Sequence, residues 1–425
     1  MMRLLRISWR KFTQSLMVNS QKLKQLVLAK LLRVARCEVS KQLTGFARPD
    51  GRWGLRSHVL ILPLHSALCA TARKIADESD GAVAVSHDWS GEVDGDFDRI
   101  IKTFSGFAAN PNNYATVFIT IGTPGELFII DLARKLGVNK AEVLNVAELG
   151  SMSKIAGAGL KIANSLVKEA KAQSRVNAPW SAIALGQECG GSDALSGITA
   201  NPALGVASDR LVELGAASVL GETTEILGAE HLLAARAITP EIGAQIIETV
   251  ARYERSINYE GIDMRGAQPS RGNIEGGLTT LEEKSLGAAK KAGSAQFSGV
   301  LEYADQVPRS GLYFMDTPGH DTEQLTGFAA GGINLVVFTT GRGTPTGSAI
   351  MPTIKVATNT TMANAIPDLI DLNAGTIADG LKTLSEVGGE LFDLILEVAN
   401  GKLTKAEKGL HHEFSLSRMY NTVIK

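Results

Sequence analysis

From Gly51 onward, short apolar runs alternate with stretches whose apolar residues recur at helical spacing, and this alternation restricts the fold more than any other feature. Val59–Leu64 precedes a helical stretch reaching Ala76, and Ala82–Ser86 precedes one at Phe97–Phe107. Val117–Ile121 precedes Glu126–Leu136, and Val143–Ala147 precedes Lys154–Ala172. Unbroken apolar runs of strand length belong to strands covered on both faces, so the expected sheets are mainly parallel. The rhythm restarts after Asn177–Trp180. Ala182–Leu185, Ser218–Leu220, Leu312–Met315 and Leu335–Phe338 read as buried strands, with helices at Leu204–Leu214, Pro240–Tyr253 and Leu281–Lys290. The expectation is an α/β protein of mainly parallel sheets with helices on both faces, in two Rossmann-like halves. Residues 44–176 form the first domain, residues 177–425 the second, and residues 1–43 a basic extension.

The 425 residues include 43 Lys or Arg and 44 Asp or Glu, a formal net charge of −1 that argues against a nucleic-acid binder. That balance conceals a division. Residues 1–43 carry ten basic residues and the single acid Glu38, a charge of +9, which leaves −10 for the rest. The arm reads as an amphipathic helix for an acidic surface, as an organelle-targeting leader, or as an unfolded extension. Three cysteines, Cys37, Cys69 and Cys189, with no Cys-x-x-Cys pair, provide no disulfide framework and suggest a cytoplasmic setting. No apolar run reaches the ~18 residues of a transmembrane segment. Glycine, 44 residues in all, exceeds the usual ~7%.

Much of that glycine lies just after strands, where open α/β sheets hold ligands. Gly186-Gln-Glu-Cys-Gly-Gly-Ser-Asp193 continues into Ser196-Gly-Ile-Thr-Ala-Asn-Pro202. Gly190 and Gly191 let backbone N–H groups approach an anion, and Cys189, Asp193, Ser196, Thr199 and Asn201 crowd the same turn. Helix capping by Ser192 or Asp193 is the structural account of part of that polarity. Residues 273–285 contain a capping box, Thr279 to Glu282 or Thr280 to Glu283, which leaves Asn273 and Lys284 unexplained. A lysine there suits a carboxylate. Asp316-Thr-Pro-Gly-His320 imitates a GTPase element, but the phosphate loop which that element requires is absent. With Glu323, Asp316 and His320 make either a hard-cation or an acid/base cluster. His65 and His87 follow the first two strands. Arg342, between glycines after a buried strand, suits bidentate recognition of a carboxylate or sulfonate. Lys355 and Asn359 follow the next short strand.

Seven motifs then occur in order. They are Gly-Phe-Ala-Arg-Pro-Asp-Gly-Arg (45–52), Cys-Gly-Gly-Ser-Asp-x2-Ser-Gly-x-Thr-Ala-Asn-Pro (189–202), and Glu-Thr-Thr-Glu-Ile-x-Gly-Ala-Glu (222–230). Gly-Asn-x2-Gly-Gly-Leu-Thr-Thr-x-Glu-Glu-Lys-Ser-Leu-Gly (272–287), Met-Asp-Thr-Pro-Gly (315–319), Thr-Gly-Arg-Gly (340–343) and Ile-Lys-Val-x2-Asn (354–359) follow. Together they resemble the large subunit or C-terminal catalytic domain of the altronate/galactarate dehydratase family, which also includes sulfolactate sulfo-lyase. The resemblance implies a hydro-lyase that removes water from a small anionic hydroxy acid to give a 2-keto-3-deoxy acid. It further implies a divalent metal, Fe²⁺ or Mn²⁺, an oligomer, and a separate small subunit in place of the absent N-terminal domain. The alternatives are bisulfite release from sulfolactate and a non-catalytic ligand-binding homologue.

Under this resemblance His320 or His65 transfers the proton. Lys284, Arg342 and Lys355 hold the carboxylate, with Asn273, Ser192, Thr199 and Asn201 around the substrate. Cys189, Asp193, Asp316, Glu323 and His87 are the expected metal ligands. The chain departs from the family at three places, reading His87-Asp-Trp-Ser90 and Gly122-Thr-Pro-Gly-Glu126 where relatives have cysteines, and Pro367-Asp-Leu-Ile-Asp371 in a late acidic cluster.

Overall fold

Apolar runs fold here into strands whose two sides feed two different cores. In the computed structural model, which describes residues 42–91, 96–257 and 268–418, the strands in chain order are β1 (Thr44–Ala47), β2 (Trp53–Gly54), β3 (His58–Pro63), β4 (Ala82–Ala84) and β5 (Asn113–Thr120). They continue with β6 (Ala141–Asn145), β7 (Val176–Asn177), β8 (Ala184–Gly190), β9 (Ala217–Leu220) and β10 (Phe297–Leu301). The last are β11 (Gly311–Met315), β12 (Leu335–Thr340), β13 (Thr353–Ala357) and β14 (Leu372–Asn373). Of the basic extension, residues 1–43, all but the last two lie outside the described residues, and so do the three readings made of it.

Strands β4-β3-β5-β6 form a parallel sheet in that order. Side chains alternate across it. Val59, Ile61, Val117 and Ile119 pack with Ala72, Ile75, Ile155 and Ala163 on one face. Leu60, Leu62 and Phe118 pack with Phe104, Phe107 and Ile129 on the other. The second sheet, also parallel, runs β10-β11-β9-β8-β12-β13-β14. Helix Ala200–Glu213 covers the face that carries Gln187, whose Nε2 donates to Ser208 Oγ. Helix Asp321–Ala330 covers the other, where Phe328 fills the space above Gly186. The chain is therefore an α/β protein of parallel sheets layered with helices. Strands β2-β1-β7 add a small antiparallel sheet.

The two parallel sheets share one core. Leu60, Phe104 and Phe118 meet Phe328, Val336 and Phe338, and Phe414 and Leu416 close the same cluster from the C-terminal segment. Polar groups stitch this joint. Asn110 Nδ2 donates to the carbonyls of Ala329 (2.7 Å) and Ile333 (2.8 Å), and Asn112 Nδ2 to those of Asn334 and Ile350. Among the described residues, no helix is long and apolar enough to cross a membrane.

Strand order sets the ligand positions. β8 connects to β9 on one side while β12 connects to β13 on the other, so their carboxyl ends part into a crevice. β3 and β5 make the same switch in the smaller sheet.

Candidate active site

The crevice between β8 and β12 is built on glycine because side chains already fill its floor. A Cβ on Gly190 would lie 2.6 Å from Asp321 Oδ2 and 2.7 Å from Phe338 Cζ. Gly191 then turns the chain with φ of 60°, a left-handed conformation that glycine adopts without strain. The resulting cleft, about 390 Å³, is lined by Cys189, Glu225, Asn273, Lys284, Asp321 and Arg342 among others.

Behind its β9 side lies a buried ionic cluster. Glu222 and Glu225 come from the turn after β9, and Glu222 holds φ of 62°, rare for a residue with a side chain. Its N–H donates to Thr317 Oγ1 at 2.7 Å, which fixes the turn against β11. Glu222 Oε2 contacts Lys291 Nζ and accepts from the Cys189 N–H at 3.2 Å. Lys291 Nζ also lies 2.7 Å from Cys189 Sγ, and Cys189 Sγ is 2.9 Å from Glu225 Oε2. Lys284 Nζ donates to Glu225 Oε1 (2.8 Å), Gln268 Oε1 (2.6 Å) and Asn273 Oδ1 (3.2 Å), using all three of its protons.

These contacts set the proton affinities. Burial, with the Glu225 charge beside it, pushes Glu222 up to about 7. Burial also acts on Glu225, but Lys284 and Lys291 outweigh it and hold that carboxyl below the usual range. Burial and the two glutamates raise the Cys189 thiol. Both lysines are held protonated against their burial, Lys284 by Glu225 and Lys291 by Cys189 and the glutamates. Asp321, in the cleft, is raised by burial and by Glu225.

On the opposite face of β8 lies an unusual row. Glu188, Phe338 and Lys355 stand in register on β8, β12 and β13. Lys355 Nζ sits 3.2 Å above the Phe338 ring centre, and neither it nor either Glu188 carboxylate oxygen has a hydrogen-bond partner. Both residues are fully buried. Burial lowers Lys355 to about 7 and raises Glu188, a shift that Glu222 reinforces.

Of the residues expected from sequence, the structure brings Cys189, Asn273, Lys284 and Arg342 together in this cleft. Others brace it. Asp193 accepts from Ser196 Oγ, Thr358 Oγ1 and Asn359 Nδ2, which ties the β8 turn to the segment after β13. Thr199 Oγ1 shares its one proton between the carbonyls of Leu195 and Thr358, and Asn201 joins Thr339 Oγ1 to the Gly287 carbonyl. The Ser192 carbonyl accepts from Asn273 Nδ2. Lys355 does not follow β13 but lies within it, sealed from the cleft.

The five expected metal ligands do not converge. His87 has both ring nitrogens occupied, Nε2 at the Pro63 carbonyl (2.9 Å) and Nδ1 accepting from the Trp89 N–H, and it packs against Phe104. Asp316 pairs with Arg252 and accepts from Thr223, and with Glu323 it lines a separate cleft beside Arg99. His320 is largely exposed, 3.6 Å from Glu323. His65 caps the turn after β3 and lines the smaller sheet's crevice with Glu126, which takes it out of this site. Among the described residues, the donor atoms that do converge are those of Cys189, Glu222 and Glu225, all within 4.8 Å of one another. Sequence reading gives no role to Glu222 and Glu225, although both stand in the 222–230 motif, nor to Lys291 and Asp321. The glutamates follow β9 just as Cys189 ends β8, so the strand-end rule applied to them too. Lys291 has no local signal.

The chain is similar in sequence to known proteins across both of its parallel sheets. The family described as D-galactarate/Altronate dehydratase, C-terminal, matches residues 180–422, and the D-galactarate dehydratase/Altronate hydrolase second domain matches residues 45–171. The chain is 35% identical to the (2R)-sulfolactate sulfo-lyase subunit beta of Chromohalobacter salexigens, over 89% of this chain and 97% of that protein. It is 39% identical to the galactarate dehydratase (L-threo-forming) of Escherichia coli over 74% of this chain, and spans 62% of that relative. Identity to the altronate dehydratase of Bacillus subtilis is 32%, over 89% of this chain and 78% of the relative.

Proposed function

The chain belongs to the D-galactarate/altronate dehydratase family, and on that premise we propose that it is a hydro-lyase acting on a sugar acid such as altronate or galactarate, giving a 2-keto-3-deoxy acid. The observation that carries this reading is the cleft at the β8/β12 crevice. Arg342 and Lys284 supply positive charge there, beside Asp321, a carboxyl that burial and the Glu225 charge raise above its ordinary value.

Arg342 donates to the Gly272 carbonyl at 2.7 Å and lies 3.3 Å from Glu275, and its side chain is half exposed. It binds the substrate carboxylate. Lys284, fixed by three acceptors, keeps Glu225 ionised and adds positive potential where the enediolate charge develops. Asp321 exchanges the proton with the substrate. Removal of the proton alpha to the carboxylate and departure of the beta hydroxyl as water leave an enol that tautomerises to the keto acid.

A thiolate with two carboxylates suits Fe²⁺ better than the harder Mn²⁺, and Cys189, Glu222 and Glu225 would hold the metal if Lys291 gave up its contacts with Cys189 and Glu222. When bound, the ion supplies Lewis-acid stabilisation of the enediolate.

A second reading is bisulfite elimination from sulfolactate, supported by the 35% identity to the (2R)-sulfolactate sulfo-lyase subunit beta. It carries with it a separate small subunit as partner. The test is a panel of altronate, galactarate and sulfolactate with Fe²⁺ or Mn²⁺, with and without a small subunit, following keto-acid formation and sulfite release. Keto acid without sulfite supports the first reading and sulfite the second. No turnover of any of them, with substrate still bound, points to a ligand-binding homologue.

A further inference from the structure

Lys291 is the charged group of the cluster that none of the chemistry above employs. It is fully buried, and its nitrogen touches both Cys189 Sγ, at 2.7 Å, and Glu222 Oε2. Cys189 is among the residues that line the cleft, while Lys291 lies fully buried behind it. Three separate segments therefore hold a thiol, an amine nitrogen and a carboxylate in mutual contact: the end of β8, the turn Lys290–Ala292 and the turn after β9. Cys69 offers a contrast within the same chain, since its sulfur meets backbone groups of His87.

We propose that Cys189 and Lys291 form an oxidative cross-linking site, closed by dioxygen into a nitrogen–oxygen–sulfur bridge. The nitrogen, an ammonium in the resting cluster, reacts through its minor neutral form, the proton passing to the Glu222 carboxylate that it touches. The thiol S–H bond, one amine N–H bond and the O–O bond then break. An S–O and an O–N bond form, and the second oxygen leaves as water with the two hydrogens. Sulfur and nitrogen each give up two electrons, and dioxygen takes up all four. The contact between the two atoms means that the bridge needs one oxygen atom and little movement. Its closure removes the thiol and the ammonium at the back of the cleft, and a thiol reductant restores them. The site thus joins the reversible steps of cysteine oxidation.

The test uses the full chain purified under argon with dithiothreitol, then divided between argon and air-saturated buffer and mapped by mass spectrometry after digestion. In air, the expected product is a linked pair of peptides joining Cys189 to Lys291. It is heavier than their sum by one oxygen less two hydrogens, and dithiothreitol removes it. Lys291→Arg and Cys189→Ser lack it, and Cys69 stays a free thiol. The wild-type map alone decides if a variant fails to fold. Cys189 found as free thiol, sulfinic acid or disulfide with Lys291 unmodified overturns the proposal, and no part of the readout depends on turnover.

Discussion

A lysine buried without a hydrogen-bond partner loses its proton readily, and the cost appears as a pH dependence of stability. Lys355, pressed on the Phe338 ring, falls from an ordinary 10.5 to about 7 in the folded chain. Between those values the unfolded chain binds the proton and the folded chain does not, so stability rises with pH by about 1.4 kcal/mol per unit. Below about 7 the full penalty is present. Lys355→Met should therefore melt higher than wild type at pH 6, and the gap should shrink as the pH rises to 9. Thermal melts across that range check it, and a gap independent of pH would remove the assignment. Asp321 belongs to the same scale. If it moves the substrate proton, Asp321→Asn should lower kcat by roughly 10²–10⁴-fold with a smaller change in KM. Steady-state kinetics with whichever acid the panel identifies decides this, and near-normal turnover sinks the role. The sequence pointed to His320 or His65 for this step, with Asp316 and Glu323 at the metal. The choice depends on where the helix starts, because a start at Asp321 brings that carboxylate over Gly190 while its neighbours open into another cleft.

At the scale of elements, the strands were legible where burial alone makes them. Val59–Leu62 and Leu335–Phe338 are fully buried, and their apolar runs announced it. β8 was legible only as far as Leu185. Its last residues, Gln187 to Gly190, are polar, and they are strand because β12 pairs with all of them and β9 with Gln187. Neighbours supply that pairing, which local sequence does not record. The same holds for the site. Cys189, Asn273, Lys284 and Arg342 could be found from strand ends, whereas Lys291 reaches Cys189 across 102 residues of chain. Helix packing gives a prediction of its own. Helix Phe97–Ala108 crosses helix Asp321–Ala330 so closely that a Cβ on Gly106 would lie 2.2 Å from the Ala330 carbonyl oxygen. The obstacle is backbone, so the helices must part. Gly106→Val should cost about 1–3 kcal/mol, seen as a lower urea midpoint at unchanged slope.

Over the whole molecule, the two sheets each look able to stand alone, yet their inner faces are one core. Leu60, Leu62, Phe104, Phe107 and Phe118 have their partners in Phe328, Val336, Phe338 and Phe414. Asn110 and Asn112 point their amides at carbonyls of the other sheet's segments. Arg56 pairs with Glu407 at 2.7 Å and donates to the Val398 carbonyl. A fragment of residues 44–176 would expose that apolar face and leave those polar groups unpaired. Exposed patches of this kind drive association. The fragment should therefore aggregate or bind hydrophobic dye, and show no cooperative melt, whereas the full chain should unfold in one transition with tryptophan fluorescence and circular dichroism coincident. A monomeric fragment with a cooperative melt would mean that the first sheet is self-sufficient. Coupling of this kind also bears on the cleft. Phe338 reaches Gly190 from within the shared core, so loosening the joint between the sheets should disturb Asp321 before it unfolds either sheet. Gly106→Val tests that link too: in mild urea, below its unfolding midpoint, it should lose substrate binding while its circular dichroism is still native.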